Sequence, residues 1–367
     1  MAGGESKGSR RYDKENLLWQ STVVIKSDPV GPPVGPRSEW VETMTDCTRR
    51  GFLKGAGAFG AFAFGRMAAL AASDAAPDLL SRALAFGRGK ARQDELIAAW
   101  DAATRLVTPD VYKAYCLDGD TRGFKALKAL DYAFDRVLRE IKETVVEGDA
   151  PAVWSVYNMG YIVKTRESLF SIDLKHRRAH SLVPLLDFAL VTHKHGDHYD
   201  VNFCKAMDEA GKPLVSSFVE NAAFGEIKAK AAAEGKPDVF KIRDVLIRTF
   251  RVDHAKEAWG IDFTTAFEMK IGKFRLLHTG DCGVANDKLR VEWGHPDLWL
   301  LFPMTWLDVT DAFKRICPKR CAFGHIWELS HAVGKGRAIE RHIRRGLDMA
   351  ARAGGDPVVA FWGDRIC

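Results

Sequence analysis

The chain reads as an α+β fold, a sandwich of sheets covered by helices. Three observations point there. Apolar residues recur at helical spacing over residues 91–147, short runs of β-branched and aromatic residues take over from residue 152, and helical segments return between those runs. Strand neighbours early and strand–helix alternation later build a layered core. No self-similarity recurs at a fixed period, which argues against a solenoid.

Leu96, Trp100 and Leu106, then Phe124, Leu127, Leu130, Phe134, Val137 and Ile141 carry the helical period and predict two or three helices. Asp118-Gly119-Asp120 reads as a turn, and the oxygen ligands that would make it a calcium loop are missing. Strands are predicted at 153–157, 161–164, 169–174 and 188–191, and again at 245–252, 264–271, 274–278, 298–302 and 358–362. Helices are predicted at 202–210, 222–234, 307–314 and 337–351.

With 367 residues, 47% hydrophobic and 28% charged, the composition is that of a globular protein with a large core. The net charge of +6 is uneven: residues 1–90 hold 13 Lys and Arg against 9 Asp and Glu, leaving 41 against 39, or +2, for the rest. A near-neutral body excludes a broad basic face, so no nucleic-acid partner is expected. The basic run at 337–345 reads as the solvated face of a helix.

Residues 48–54, Thr-Arg-Arg-Gly-Phe-Leu-Lys, precede a Gly/Ala-rich apolar stretch at 55–65, and together they resemble a twin-arginine export signal. The resemblance implies the export machinery as a partner and a periplasmic or otherwise extracytoplasmic location. An apolar stretch that Arg66 interrupts is far shorter than the ~20 residues that cross a bilayer, so no permanent membrane anchor is expected. Residues 1–43, with Pro and Gly at 31–36 and no apolar periodicity, are expected to be a disordered extension, and Met44 offers a second start. The expected division is therefore 1–43, signal and linker at 44–90, a helical extension at 91–150 and the main domain at 151–367. Seven cysteines, an odd number, give no disulfide framework; Cys317 and Cys321 either pair after export or stay thiols, and Cys282 reads as core packing.

The chemistry concentrates at residues 192–200, Thr-His-Lys-His-Gly-Asp-His-Tyr-Asp, directly after the apolar run at 188–191. Side chains two apart in an extended segment point the same way, so His193 and His195 converge on one ion. Gly196 allows a turn that brings Asp197 and His198 to a second ion. A site for two ions needs about seven or eight ligands, so others must come from elsewhere. His254, Asp281 and His325 stand where expected strands give way to loops, the usual place for binding groups.

The order Asp173, H-x-H-x-D-H at 193–198, His254, Asp281, His325 resembles the metallo-β-lactamase superfamily over residues 152–367. The resemblance implies a four-layer αββα sandwich with metals at one edge of the two sheets, the helical extension lying outside it. It implies that His193, His195 and His254 hold one ion, that Asp197, His198 and His325 hold the other, that Asp281 bridges them, and that Asp173 orients a ligand imidazole. T-H-x-H-x-D-H-x-D at 192–200 and H-T-G-D at 278–281 look most like the branch containing ascorbate-6-phosphate lactonase and N-acylphosphatidylethanolamine phospholipase D.

The expected activity is dinuclear metal-dependent hydrolysis: a hydroxide shared by two divalent ions, zinc first with manganese or iron acceptable to the same donors, attacks an ester, lactone, phosphodiester or amide. Asp197 is the candidate base for the water's proton. No G-x-S-x-G is present and the cysteines lack an activating context, so no protein nucleophile is expected. Glu328 and His331, close to His325, are candidates to line a small-molecule pocket, whereas His176, His180, His278, His295 and His342 read as structural. Alternatives are an iron-dependent redox enzyme of the same fold and a non-catalytic metal-binding protein. Family resemblance also makes a homo-oligomer an expectation.

Overall fold

A computed structural model describes residues 90–218, 235–254, 261, 263–283, 288–302 and 309–367. The N-terminal extension, the export signal up to residue 89 and the helix expected at 222–234 lie outside the described residues.

Two sheets form the centre. The first runs in the order β1 (Ala152–Tyr157), β2 (Gly160–Lys164), β3 (Leu169–Ile172), β4 (Phe188–Val191), β5 (Leu214–Ser216). In the second, β6 (Asp238–Ile242), β7 (Val245–Asp253), β8 (Phe263–Ile271), β9 (Phe274–His278), β10 (Leu298–Leu301), β11 (Arg320–Phe323) and β12 (Pro357–Val359) lie in sequence order. Alternate residues of each strand point to opposite faces. One set, including Val153, Val163, Phe170, Leu190, Ile247, Phe267, Leu276 and Leu300, forms a single apolar layer drawn from both sheets. The other set, including Trp154, Ile162, Val191, Val252, Leu277, Trp299 and Phe323, joins the helices in a second cluster. Burial on both faces explains why so many strands read as continuous apolar runs.

The helices are α1 (Lys90–Arg105), α2 (Pro109–Asp118), α3 (Lys125–Glu143), α4 (Val201–Glu209), α5 (Val309–Ile316) and α6 (Glu340–Arg352). α3 packs on β1 and α1, α1 also reaches α6, and α4 packs on β5. Thr108 caps α2 through the Val111 amide and Pro109 opens it, so its start is encoded locally. Leu127, Leu130, Phe134, Val137 and Ile141 are all buried on α3, as their spacing predicts. This is the expected α+β sandwich, and no described helix is long and apolar enough to cross a membrane.

Several expectations need correction. Leu106 is 67% exposed because α1 ends one residue before it. The strand expected at 169–174 stops at Ile172, where Asp173 turns the backbone to φ 46°. β5 and β6 escaped notice, the first because it is three residues long, the second because it is a short edge strand in which Asp238 and Lys241 interrupt the apolar residues and most positions are partly or fully exposed. The basic run at 337–345 is not one solvated helix face: α6 begins at Glu340 and Arg337 is buried ahead of it. Cys321 is a buried free thiol, so it forms no disulfide with Cys317.

The topology fixes where the site lies. β4 runs parallel to β3 and β5, and β9, β10, β11 and β12 run parallel to one another. β7 pairs antiparallel with β8, which pairs antiparallel with β9, so β7 points the same way as β9. The C-terminal ends of β7, β9 and β11 therefore share one edge of the second sheet, where loops carry ligands. The Thr265 amide donates to the Thr192 carbonyl at 2.9 Å, tying the end of β4 to that sheet.

Candidate metal centre

Each expected ligand sits just beyond one of these strand ends. Thr192 and the H-x-H-x-D-H segment follow β4, His254 follows β7, Asp281 follows β9 and His325 follows β11. Two small residues let the loops close on one another. A Cβ on Gly280, which has φ +52°, would stand 2.4 Å from Thr264 Oγ1 and 3.0 Å from Thr192 Cβ. One on Gly324 would stand 2.4 Å from Met159 Sδ and 2.5 Å from the Tyr161 hydroxyl. Both positions demand the absence of a side chain. Asn158, Asp173 and His325 all take left-handed backbone, at φ 56°, 46° and 52°. Such conformations are costly and persist where surrounding contacts enforce them.

The seven ligands gather in two groups that share Asp281. In one, His193, His195, His254 and Asp281 each bring a donor atom within 4.8 Å of the others; in the second, Asp197, His198, Asp281 and His325 do the same. His193 Nε2 lies 3.0 Å from His195 Nδ1. Asp281 Oδ2 is 3.9 Å from His193 Nε2, 3.7 Å from His254 Nε2 and 3.2 Å from His325 Nε2, while its Oδ1 is 3.1 Å from His198 Nε2. Asp197 Oδ2 lies 3.0 Å from His325 Nε2. His195 is half-buried, and the other six are buried.

Asp173 lies behind the first of these loops, bonded to Thr192 and His198. Its Oδ2 receives His198 Nδ1 at 2.8 Å and the Thr192 hydroxyl at 2.7 Å, and its Oδ1 accepts the Thr192 amide at 2.7 Å. The Thr192 hydroxyl is also 2.9 Å from His193 Nδ1, so one buried carboxylate orients an imidazole of each group. Asn158, which sequence reasoning missed, donates to Asp197 Oδ2 at 3.1 Å and to the Asp197 carbonyl at 3.1 Å. Its own carbonyl accepts the His325 amide at 3.0 Å. An Asn at the tight connection between two strands carries the sequence signature of a turn and nothing more.

Electrostatics separate the groups. Burial works against the charged forms of Asp197 and Asp281, yet His198 and His325 hold both carboxyls well below the ordinary range. Burial also opposes charge on His325, but Asp281 and Asp197 push it up to about 10, and Asp281, Asp197 and Asp173 raise His198 likewise. His193 moves the other way, lowered by burial and then by His198.

The donor set suits a metal. Neither ring nitrogen of buried His254 has a hydrogen-bond partner among the described residues, and His325 Nδ1 and Asp281 Oδ1 are also unbonded. Asp281 Oδ1 is nonetheless within ion-pair distance of His198, so the two approach without hydrogen-bond alignment, as ligands of a common ion do. Leaving buried polar atoms unmatched costs ~1–3 kcal/mol each, a cost that an ion removes. Imidazole and carboxylate together accept zinc, manganese or iron.

Glu328 and His331 stand beside the second group, one donor atom of each lying within 4.8 Å of an Asp197 oxygen. The remaining histidines are structural. His176 stacks on Phe134 at 4.0 Å, His278 is bonded between the Met159 carbonyl and the Gly280 amide, His295 faces the Ile316 carbonyl, and His342 accepts from the Ile339 amide. His180 is exposed, and Cys282 is buried in the apolar core.

Residues 157–305 match the family model described as a Beta-lactamase superfamily domain. The matched stretch spans strands of both helix-covered sheets, the layered α+β architecture expected from the sequence. No curated protein matches the chain. Among solved structures, a metallo hydrolase from the hyperthermophilic archaeon Ignicoccus hospitalis is 15% identical, aligned over 59% of this chain and 97% of that one, with a TM-score of 0.44. The metallo-beta-lactamase fold protein YhfI from Bacillus subtilis is 11% identical over 59% and 99%, with a TM-score of 0.42. The diiron beta-hydroxylase CmlA from Streptomyces venezuelae is 12% identical over 78% and 61%, also with a TM-score of 0.42.

Proposed function

We propose that this chain is a dinuclear metal-dependent hydrolase acting on an ester, lactone, phosphodiester or amide bond of a small molecule. The observation that carries the reading is the sharing of Asp281 between two compact groups of donor side chains, with neither ring nitrogen of buried His254 hydrogen-bonded among the described residues. His193, His195 and His254 would hold one ion, Asp197, His198 and His325 the other, and Asp281 both. Bound divalent ions supply Lewis acidity and a water acidified toward neutrality.

The chain's own residues supply the rest. Asp173 and Thr192 fix the rings of His198 and His193, so their outward nitrogens keep one direction. Asn158 and His325 hold the Asp197 carboxylate, which is poised to accept a proton from an attacking water. Asp281 and its neighbours exclude bulk solvent from this edge, which strengthens every charge interaction in it. Zinc is the proposed metal, and export by the twin-arginine route places the mature enzyme outside the cytoplasm. The sequence likeness to the lactonase and phospholipase D branch puts lactones and phosphodiesters first among substrates.

The test is elemental analysis of the purified chain with a panel of phosphodiesters, lactones and amides. We expect metal-dependent turnover that Asp197→Ala abolishes while the fold, read by circular dichroism, survives. Full activity in that variant contradicts the reading.

A further inference from the structure

We propose that Glu328 and His331 form a proton-donating pair for the leaving group, His331 as the catalytic acid and Glu328 as its positioning residue. The inference rests on the hydrolase reading. The pair lies beyond residue 305, outside the stretch that matches the family model.

Glu328 is a fully buried carboxylate. Its Oε1 accepts the Tyr157 hydroxyl at 2.9 Å and the Ser330 amide at 2.5 Å. Its Oε2 accepts the His331 amide at 2.8 Å and faces His331 Nδ1 at 2.6 Å. Four donors match the roughly four lone-pair sites of an ionised carboxylate, so an ion bound here would have to displace bonds already made. This full complement of donors separates Glu328 from Asp281 Oδ1 and the His254 ring nitrogens, which have no hydrogen-bond partner among the described residues. The short contact to Nδ1 makes that nitrogen the one carrying a fixed proton and leaves proton exchange to Nε2, on the opposite edge of the ring. A carboxylate behind an imidazole in this way also stabilises the imidazolium.

The placement of the pair is enforced from two sides. The Tyr157 hydroxyl, at the end of β1, also accepts the Leu329 amide at 2.6 Å. Buried Arg337 donates to the Leu329 and His331 carbonyls, each at 2.9 Å, and its other bonds reach the Thr104 and Val107 carbonyls at and just beyond the end of α1. Trp100 of α1 stacks on Trp327 with ring centroids 5.5 Å apart, and Tyr112 of α2 stacks on Tyr157 at the same separation. A buried carboxylate and a buried guanidinium that bond other groups rather than each other are expensive to maintain. An incidental surface histidine requires no such support. The His331 side chain itself is 29% exposed, and its ring centroid is 6.5 Å from that of His325. It stands next to the candidate ligands with part of its surface exposed.

In the step, the attacking water oxygen bonds to the carbonyl carbon or phosphorus and gives up a proton to Asp197. The bond to the leaving oxygen or nitrogen breaks, and its electron pair takes the proton from His331 Nε2. Asp197 then releases its proton to solvent and neutral His331 regains one from solvent, so water has been added across the bond and both groups are restored. Such an acid matters for alkoxide and amine leaving groups, which depart poorly unprotonated. It matters little for a nitrophenolate.

The test uses His331→Ala and His331→Gln in the metal-loaded full chain. The substrates are paired phosphodiesters, carboxylic esters and amides whose leaving group is either p-nitrophenolate or p-nitroaniline, or else a simple alcohol or alkylamine. We expect kcat on the alkyl members to fall by roughly 10²–10⁴-fold, the usual contribution of an acid catalyst, with a far smaller change on the nitrophenyl members. Metal content per chain should equal that of the wild type. Equal losses on both members of a pair, or the loss of a metal equivalent, overturn the proposal. A wild type that loads metal but turns over neither member of any pair overturns the hydrolase reading, and the pair's role with it.

Discussion

The two ligand groups meet at one carboxylate and are built differently around it. The Asp197, His198 and His325 group is furnished by the protein: Asp173 holds His198, Asn158 holds Asp197, and opposite charges interleave at 3.0–3.2 Å. The His193, His195 and His254 group has a looser frame. His193 is oriented through the Thr192 hydroxyl, neither ring nitrogen of His254 has a hydrogen-bond partner among the described residues, and the distances to Asp281 widen to 3.7–3.9 Å. On the proposed reading, an ion would find the first of these groups already arranged and would itself organise the other. Preorganised ligands lose less freedom on binding, so the Asp197, His198 and His325 group should load first.

The largest effect that would sharpen this contrast comes from Asp173→Asn. Removing the carboxylate behind His198 should weaken metal binding at the preorganised group by roughly 10–100-fold. Two-site titration by calorimetry should show the affinities of the two ions drawing together, and an unchanged gap would break the comparison. Asn158→Ala is a smaller perturbation. It deletes one side-chain donor to Asp197, ~0.5–1.5 kcal/mol, and should lower affinity at the same group by roughly 2–10-fold with no change at the other.

The smallest effect is on the stability of the metal-free protein. His325 is raised to about 10 when folded, against ~6.5 in an unfolded chain, so it favours folding fully below ~6.5 and loses that contribution as pH rises toward 10. The lowered carboxyls of Asp197 and Asp281 act oppositely, contributing above ~4 and losing their effect in acid. Thermal melts after chelation should therefore decline between pH 7 and pH 10. The metal-loaded protein should not share this decline, because an ion replaces those protons and binds better as pH rises. A rising melt for the chelated protein over that range would contradict the assignment of charge to this group.

Much of the architecture was legible because the features concerned are local. The run at 188–191 and the histidines after it lie in one segment, and His254, Asp281 and His325 each close a recognisable strand. The edge strand β6 was illegible because it is five residues long, carries Asp238 and Lys241, and buries only Phe240. Asn158, Tyr157 and Arg337 were invisible for another reason: their roles are defined by partners far along the chain. Arg337 sits in a run of basic residues that suggests a wet helix face, and only the arrival of Thr104 and Val107 from α1 buries it. In the same way the spacing of Trp100 announces an amphipathic helix but cannot say that it stacks on Trp327 and meets Trp362 edge-on. Periodicity gives the face of an element, whereas the partner of that face is set by the tertiary fold.

The central claim, a single carboxylate joining two ion sites, is tested most directly by counting ions in the purified wild-type chain and in Asp281→Ala by elemental analysis. Two divalent ions per wild-type chain are expected, falling to one or none in the variant. A wild type that binds no divalent ion, or a variant that still holds two, contradicts it.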